Sequence, residues 1–392
     1  MPRARYGLWL AVILGFVGFV TSFGAHIVAV NLPIYAKQVG VGVAVIGLLI
    51  AVYDLAEIAA KPIFGVLADR RGMKETMQAG IALFTAASLA YPWIDPRLLL
   101  VVRFVQGMGA AALSAVSLAL VGAYFAEGRG RAYGVYNAIK GAGYVVGPVI
   151  GGVIVWQSHF AAIFIAAAAV GFLAFLLALP LPEPDAKSKA ILDDDDEFSL
   201  RGFLSVFRQT TLMPWYMVTV INMFFVGILF GFLPVRVHAL GYDPLTTGLF
   251  LTTATTSYLL VQPLAGALAD RVGPAGTIRA GLALAGVSII VIPFVRDVPL
   301  ASVSILAGAG VGTVWTNTDA LVSSLAKGGR LGATMGAAGS FKEFGDMLGP
   351  LLIGLLSQAL GLTVGFVVCG VLGLLALGVI TARPVVGVAG HR

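Results

Sequence analysis

The sequence predicts an all-α membrane protein with twelve transmembrane helices in two pseudo-symmetric six-helix lobes. Composition, the spacing of apolar segments and an internal repeat each indicate this fold class. Hydrophobic residues make up 59% of the 392 positions and charged residues 11%, whereas soluble domains average about 45–50% and about 25%. One water-soluble core cannot bury so much apolar surface, so we expect a bilayer to cover the rest.

Twelve apolar segments are long enough to cross a bilayer, which takes about 20 residues. The sixth and seventh are separated by a polar stretch with several prolines and an acidic run, a composition typical of a linker. We therefore expect an N-terminal lobe at 1–181, a linker at 182–212 and a C-terminal lobe at 213–392. The segments lie near 8–30, 43–64, 76–94, 97–124, 132–156, 160–181, 213–235, 245–265, 277–295, 299–325, 331–357 and 361–382.

The two halves of the chain repeat each other. The segment Lys61–Gly72 resembles Gln262–Gly273 at an offset of 201 residues, and the pair Gly147-Pro148 recurs as Gly349-Pro350 at an offset of 202. A repeat of half the chain is typical of two-lobed transporters, in which the substrate site lies between the lobes.

The distribution of Lys and Arg predicts the orientation. If the N-terminus is cytoplasmic, seventeen of these residues fall in cytoplasmic segments, four in external segments and four within spans. The positive-inside rule then places both termini and the linker in the cytoplasm. We expect the protein to lie in the plasma membrane. Because the cations lie in short loops, the net charge of +6 does not indicate a nucleic-acid partner.

Three motifs resemble those of one known family. The loop after the second segment reads Gly65-Val-Leu-Ala-Asp-Arg-Arg-Gly-Met-Lys74, and the fourth segment carries Arg103, Gln106 and Gly107. The fifth carries Gly143-Tyr-Val-Val-Gly-Pro-Val-Ile-Gly-Gly152. Over essentially its whole length the chain resembles the major facilitator superfamily, and within it the twelve-helix drug:proton antiporter branch. His26 stands in the first segment, where that branch often has a carboxylate.

The resemblance implies roles for two of these motifs. Charges in the loop motif would lock the cytoplasmic helix ends together when the site opens outward, although they can equally be ordinary loop charges. The proline of the fifth segment would bend that helix, and its glycines would allow close packing. The resemblance ties this motif to the family's exporters. The expected gating residues are Gly65, Asp69, Arg70, Gly72, Glu127 and Arg131, and the exporter motif residues are Gly143, Gly147, Pro148, Gly151 and Gly152.

Ionisable residues within the spans are costly, by about 2.5–3.5 kcal/mol each on insertion scales. Asp54, Glu57 and Lys61 share one helical face through i, i+3, i+7 spacing. Lys342 and Asp346 form an i, i+4 pair on the eleventh segment. Such residues need partners or a cavity, so both clusters indicate an internal site.

In the family's fold the second and eleventh helices face each other. We therefore expect Lys342 to pair with Asp54 or Glu57, and Lys61 to pair with Glu343 or Asp346. Protonation of a carboxylate would break such a pair and couple proton movement to lobe rocking; a permanent structural network is the alternative. The candidate proton-coupling residues are Asp54, Glu57, Lys61, Lys342, Glu343, Asp346, His26 and Asp319.

Other polar and aromatic side chains are candidates for substrate contacts. Arg103 and Lys140 would either attract an anionic substrate or pair with a buried acid. Trp315 and Asn317 lie on the tenth segment, which lines the cavity in this family, and Asn222 and Phe225 lie on the seventh.

The function that these features favour is a proton-coupled exporter of small amphipathic compounds that works by alternating access. Export of one anionic metabolite, siderophore or lipid is an alternative, as is a non-transporting membrane sensor on the same fold. An enzyme is not expected, because no GxSxG, HExxH or phosphate-loop motif occurs in a suitable context. We expect a monomer whose partners are a small molecule, protons and the bilayer, with no cofactor and no metal.

Overall fold

The computed structural model describes residues 7–31, 35, 40–125, 129–183, 211–325 and 331–381. Within these ranges the chain forms twelve long α-helices and no strand, so the predicted fold class is confirmed. The helices are α1 (Trp9–Ala29), α2 (Val43–Arg71), α3 (Met73–Ala90), α4 (Leu99–Tyr124), α5 (Arg129–Gln157), α6 (Ala161–Ala178), α7 (Met213–Ala239), α8 (Pro244–Val272), α9 (Pro274–Val291), α10 (Asp297–Leu325), α11 (Leu331–Leu360) and α12 (Leu362–Thr381).

Length and apolarity alone identify eight of these helices as membrane spans: α1, α2, α4, α5, α6, α7, α9 and α10. The stretch Leu362–Gly378 of α12 is equally apolar but shorter. Helices α3, α8 and α11 are not among the eight, and α11 carries Lys342, Glu343 and Asp346 within its length. These three side chains line internal cavities, so the charge of α11 does not have to face lipid.

The same packing pattern occurs twice. In the N-terminal lobe α1 packs on α5, α4 packs on both α2 and α3, and α3 packs on α6. In the C-terminal lobe α7 packs on α11, α10 packs on both α8 and α9, and α9 packs on α12. Adding six to each helix number converts one pattern into the other. The lobes meet mainly along two seams, α2 against α11 and α5 against α8.

The repeated loop motif produces the same turn in both lobes. Gly72 joins α2 to α3 with φ +109°, and Gly273 joins α8 to α9 with φ +92°. A side chain is strained at such angles, so each lobe needs glycine at this position. We call this end of the bundle, where α6 also ends before the linker, the linker end, and the opposite end the far end.

Close backbone contacts join the lobes in their far halves. On the first seam, a Cβ added to Gly47 would overlap the carbonyl oxygen of Pro350. On the second seam, a Cβ added to Gly248 would overlap the carbonyl oxygen of Pro148. The hydroxyl of Thr252 also donates a 3.0 Å hydrogen bond to the carbonyl of Val145 across this seam. The described conformation is therefore tightly closed at the far end.

The fifth-helix motif explains this contact. A Cβ at Gly143, Gly147 or Gly151 would press on α1, because these residues form one face of α5 at i, i+4, i+8 spacing. Gly152 and Pro148 belong to another face and contact the start of α8. One stretch of α5 thus packs closely on its own lobe and on the other lobe at the same time.

The expected orientation places the linker end in the cytoplasm. Cysteines introduced at Ser188 and Thr363, in a chain with Cys369 replaced by serine, should react differently with a membrane-impermeant thiol reagent added to intact cells. Position 363, at the far end, should be labelled, and position 188 should be labelled only after lysis. Labelling of position 188 in intact cells would contradict the orientation.

The far-end contact also predicts a conformational variant. Gly248→Ala should destabilise the closed far end, since overpacking typically costs about 1–3 kcal/mol. Spin labels at the exposed positions Trp93 and Val298 should then report longer distances between the far ends. Gly266→Ala on the same helix is the matched control, because a Cβ there meets only a Thr316 methyl carbon at 3.8 Å. Equal distances in both variants would refute the steric role of Gly248.

Candidate functional site

A cavity of about 170 Å³ lies between the lobes near the middle of the helices. Helices from both lobes line it, and most of the charges predicted from the sequence reach it. The lining side chains that carry a formal charge are Asp54, Glu57, Lys61, Arg103, Lys140, Glu343 and Asp346. The cavity therefore combines groups that are distant in sequence into one electrostatic unit.

Lys61 connects the two lobes. Its Nζ lies 2.8 Å from Oε2 of Glu57 on its own helix and 2.5 Å from Oε1 of Glu343 on α11. Of the sequence-based alternatives for Lys61, the pair with Glu343 is the one that forms. Because one ammonium group has three donors, Lys61 satisfies a carboxylate in each lobe simultaneously.

Asp54 and Asp346 face the same cavity from opposite lobes without such a partner. Neither makes an ion pair or a side-chain hydrogen bond to any residue that the structure describes. Asp54 is 7% exposed, and its Oδ2 is fully buried. Asp346 lies against the backbone of Gly227 on α7. Asp54 and Asp346 are therefore cavity carboxyl groups that no described cation contacts directly.

Arg103 is held by neutral acceptors. Its Nε donates to the carbonyl of Leu49 at 3.2 Å and its Nη1 to Oε1 of Gln106 at 2.9 Å, while the guanidinium stacks on Tyr53 at 4.3 Å from the ring centre. Gln106 in turn donates to Ser88. The two charged or polar residues of the fourth-helix motif thus fix each other and join α4 to α2 and α3.

Lys140 on α5 and His26 on α1 both line the cavity. The Nδ1 of His26 lies 2.9 Å from the carbonyl of Ser22, so this nitrogen must carry the hydrogen. The hydroxyl of Ser22 donates to the backbone carbonyl of Lys140 at 2.6 Å. The ammonium group of Lys140 forms no ion pair within the described ranges.

Aromatic rings form one continuous wall of the cavity. The ring of Tyr144 packs edge-on against His26 with centres 4.6 Å apart, and Tyr258 lies next to Tyr144, Phe230 and Trp315. All five residues line the cavity. The wall is formed by side chains of α1, α5, α7, α8 and α10.

The expectation for Lys342 is wrong. Its Nζ pairs with Oδ2 of Asp319 at 2.6 Å and lies 4.5 Å from the ring centre of Trp315. Helices α10 and α11 are neighbours in one lobe, so this pair does not cross the interface. Lys342 and Asp319 instead line a second, smaller cavity inside the C-terminal lobe.

Three proposed substrate contacts lie outside the central cavity. Phe225 is fully buried against Gly286 and Gly373, in the core formed by α7, α9 and α12. Asn222 donates to the carbonyl of Val311 and lines the smaller cavity. Asn317 donates to the carbonyls of Ala265 and Thr313. These side chains connect helices within the C-terminal lobe.

Part of the loop motif lies outside what the structure describes. This applies to Glu127 and to the side chains of Asp69 and Arg131, so their expected contacts remain predictions. Gly65 lies in the last part of α2, and Arg70 is exposed at the end of that helix.

Sequence reasoning missed three tyrosines that line the cavity: Tyr53, Tyr144 and Tyr258. A signal was present. Each lies near the middle of a span, and Tyr53 and Tyr144 are next to residues already selected, Asp54 and Gly143. Tyrosine combines an apolar ring with a hydroxyl that needs a partner, so mid-span positions favour a polar interior.

The Lys342–Asp319 pair predicts a stability effect. Lys342→Met should leave the carboxylate of Asp319 without its cation and lower the free energy of unfolding by roughly 1 kcal/mol, the low end of the cost of an unsatisfied group, because both side chains are only partly buried. The double variant Lys342→Met, Asp319→Asn should recover part of that loss. Melting temperatures of purified protein measure both. A double variant no more stable than the single one would contradict the pairing.

Comparison with known proteins agrees with this architecture. The family model of the Major Facilitator Superfamily matches residues 14–250 and 215–388. Multidrug resistance protein Stp of Mycobacterium tuberculosis is 27% identical over 415 residues, 90% of this chain and 76% of that protein. Quinolone resistance protein NorA of Staphylococcus aureus is 29% identical over 178 residues, 45% of this chain and 46% of that protein. Riboflavin transporter RibZ of Clostridioides difficile is 29% identical over 52% of this chain and 45% of that protein.

Solved structures share the fold at low sequence identity. A mutant of the nucleoside transporter NupG superposes with a TM-score of 0.79 at 13% identity, covering 95% of this chain and 99% of the other. An inward-facing, unoccupied bacterial homologue of the human lysosomal transporter Spinster superposes with a TM-score of 0.78 at 16% identity, covering 97% and 96%. With the family model matched in both lobes, the chain belongs to the Major Facilitator Superfamily and is a transporter, not an enzyme.

Proposed function

We propose that the protein is a proton-coupled exporter of small amphipathic compounds that works by alternating access. The observation that carries the proposal is the pair of cavity carboxyl groups, Asp54 and Asp346, one in each lobe and neither with a cationic partner among the described residues. Such groups favour a bound proton in a low-dielectric site and release it when a cation arrives.

The position of these groups suits coupling. They lie on the α2–α11 seam, where the lobes must move relative to each other, and their charges act on one another and on Glu57 and Glu343. Interacting carboxyl groups titrate jointly. A substrate amine bound between Asp54 and Asp346 would take the place of the proton, so proton and substrate would occupy the site alternately.

Lys61 would keep the other two carboxylates ionised. Because it contacts Glu57 and Glu343 together, these acids already have a cation in the described conformation. Separation of α2 from α11 would leave Lys61 paired with Glu57, its partner on the same helix. This division of roles singles out Asp54 and Asp346 from the candidate coupling residues.

Export is favoured by the relatives and by the fifth-helix motif. Stp and NorA are resistance proteins by name, and all five motif positions contribute to close packing between helices. The linker end would face the cytoplasm of a plasma-membrane protein that acts as a monomer.

Export of an anionic compound is the second candidate function. Arg103 and Lys140 favour it, because both line the cavity and neither forms an ion pair with a described carboxylate. Arg103 is already engaged by Leu49 and Gln106, which leaves Lys140 as the cation available to a substrate.

Transport by proteoliposomes with an imposed pH gradient tests the proposal, with a panel of cationic, neutral and anionic amphipathic compounds. Asp54→Asn and Asp346→Asn should each lower gradient-driven transport by about tenfold or more, equivalent to about 1.4 kcal/mol. The matched control is Asp95→Asn, which changes an exposed carboxylate outside the cavity. Glu57→Gln and Glu343→Gln should perturb the Lys61 bridge instead.

Three outcomes would contradict the proposal. Wild-type transport that does not depend on the pH gradient would exclude proton coupling. Normal gradient dependence in both aspartate variants would place the coupling group elsewhere, with His26 and Glu57 as the next candidates. Gradient-driven movement of anions alone would favour the second candidate function.

A further inference from the structure

We infer that the cavity recognises a small zwitterion with an aromatic body, whose carboxylate binds Lys140 and whose amine binds between Asp54 and Asp346. The inference rests on the proposed function for the location of the substrate, and it deepens it by naming the substrate class. It also assigns Lys140 as the residue that determines specificity for the carboxylate.

Lys140 makes no ion pair with any residue that the structure describes. Four carboxylates line the same cavity, yet none lies within 4.0 Å of the ammonium group of Lys140. Taking an ammonium group out of water is expensive unless a counter-charge is present. A ligand carboxylate in this cavity would supply that charge.

The internal repeat shows that the missing partner is specific to Lys140. At the repeat offset of 202 residues Lys140 corresponds to Lys342, which pairs with Asp319 on the neighbouring helix. At the offset of 201 residues Asp319 corresponds to Leu118 on α4. The C-terminal lobe therefore neutralises its lysine internally, and the N-terminal lobe has leucine at the matching position.

The opposite charge lies on the other seam. Asp54 and Asp346 belong to α2 and α11, whereas Lys140 belongs to α5, which contacts the other lobe through α8. A bound molecule that satisfies both must reach across the cavity. One end needs a cation for the two carboxyl groups, and the other end needs an anion for Lys140.

Aromatic side chains fill the space next to Lys140. Tyr144 lies one helical turn from Lys140, about 6 Å along α5. Its ring packs against Tyr258, which in turn packs against Trp315. Aromatic rings pack favourably edge-on or offset against other rings. The body that joins the two charged ends is therefore expected to be aromatic.

The cavity volume limits the size of that body. Sites for drug-sized ligands measure about 300–1,000 Å³, whereas this cavity measures about 170 Å³. In this conformation it suits a molecule built on one ring.

Titration calorimetry on the purified full chain tests the inference by measuring equilibrium binding of three matched probes. These are para-aminomethylbenzoate, its methyl ester, and para-methylbenzoate, which are a zwitterion, a cation and an anion on the same ring. Wild-type protein should bind the zwitterion at least about tenfold more tightly than the ester, as expected for one added charge-assisted pair. Lys140→Met should abolish this preference and leave ester binding unchanged.

Two further variants separate recognition from folding. Lys140→Arg should keep the preference for the zwitterion, because it keeps the charge. Arg279→Met removes an exposed cation outside the cavity and should change nothing. Asp54→Asn should weaken the binding of the zwitterion and of the ester alike, since both probes carry the amine.

Three results would each overturn the inference. The wild type could bind the zwitterion and the ester equally, Lys140→Met could lose binding of both in parallel, or no probe could bind at all. These measurements use no pH gradient, so they do not depend on proton coupling. Failure of gradient-driven transport would overturn the proposed function and leave the binding preference intact. Failure of the binding preference would leave gradient-driven transport of other compounds standing.

Discussion

The cost of an unpaired charge in a low-dielectric interior governs this structure. A buried ion that loses its partner costs several kcal/mol, so a charge on a moving interface is stabilised by a partner that it keeps when the lobes separate. Lys61 meets this requirement because it contacts Glu57 on its own helix and Glu343 on the other lobe. The lobes can separate at this point without leaving the ammonium group unpaired. Asp54 and Asp346 make no such ion pair with a described residue, which is why we propose that a proton neutralises them.

Local sequence signals were sufficient for the fold. Each helix overlaps a predicted apolar segment, although α2 and α8 continue to Arg71 and Val272, beyond the predicted ends at 64 and 265. The repeated Lys61–Gly72 segment folds into the same turn at Gly72 and Gly273. Composition and repeats are properties of the chain itself, so no tertiary contact was needed to read them. The pairing of Lys61 with Glu343 or Asp346 was expected for a different reason: the resemblance to the family implies that the second and eleventh helices face each other.

Other contacts depend on how a helix is rotated within its lobe, and a span that is apolar on all sides carries no signal of this rotation. Phe225 and Phe230 look equivalent in sequence, yet Phe225 packs between α9 and α12 and Phe230 lines the cavity. The partner of Lys342 could not be deduced for the same reason, because Asp319 lies on the adjacent helix of the same lobe. The position of a charge on its own helix does not define which neighbour it meets.

The repeat also shows how one scaffold acquires two different seams. Positions that set backbone geometry are the same in both halves, as with Pro148 and Pro350. Positions that face the cavity differ: at the repeat offsets Glu57 corresponds to Tyr258, and Asp346 corresponds to Tyr144. The α2–α11 seam is therefore acidic and the α5–α8 seam is aromatic, although the two are related by the same pseudo-symmetry. The backbone symmetry suits a rocking of the two lobes about a common centre, while the chemical difference between the seams makes the two sides of the cavity distinguishable to the substrate that we propose.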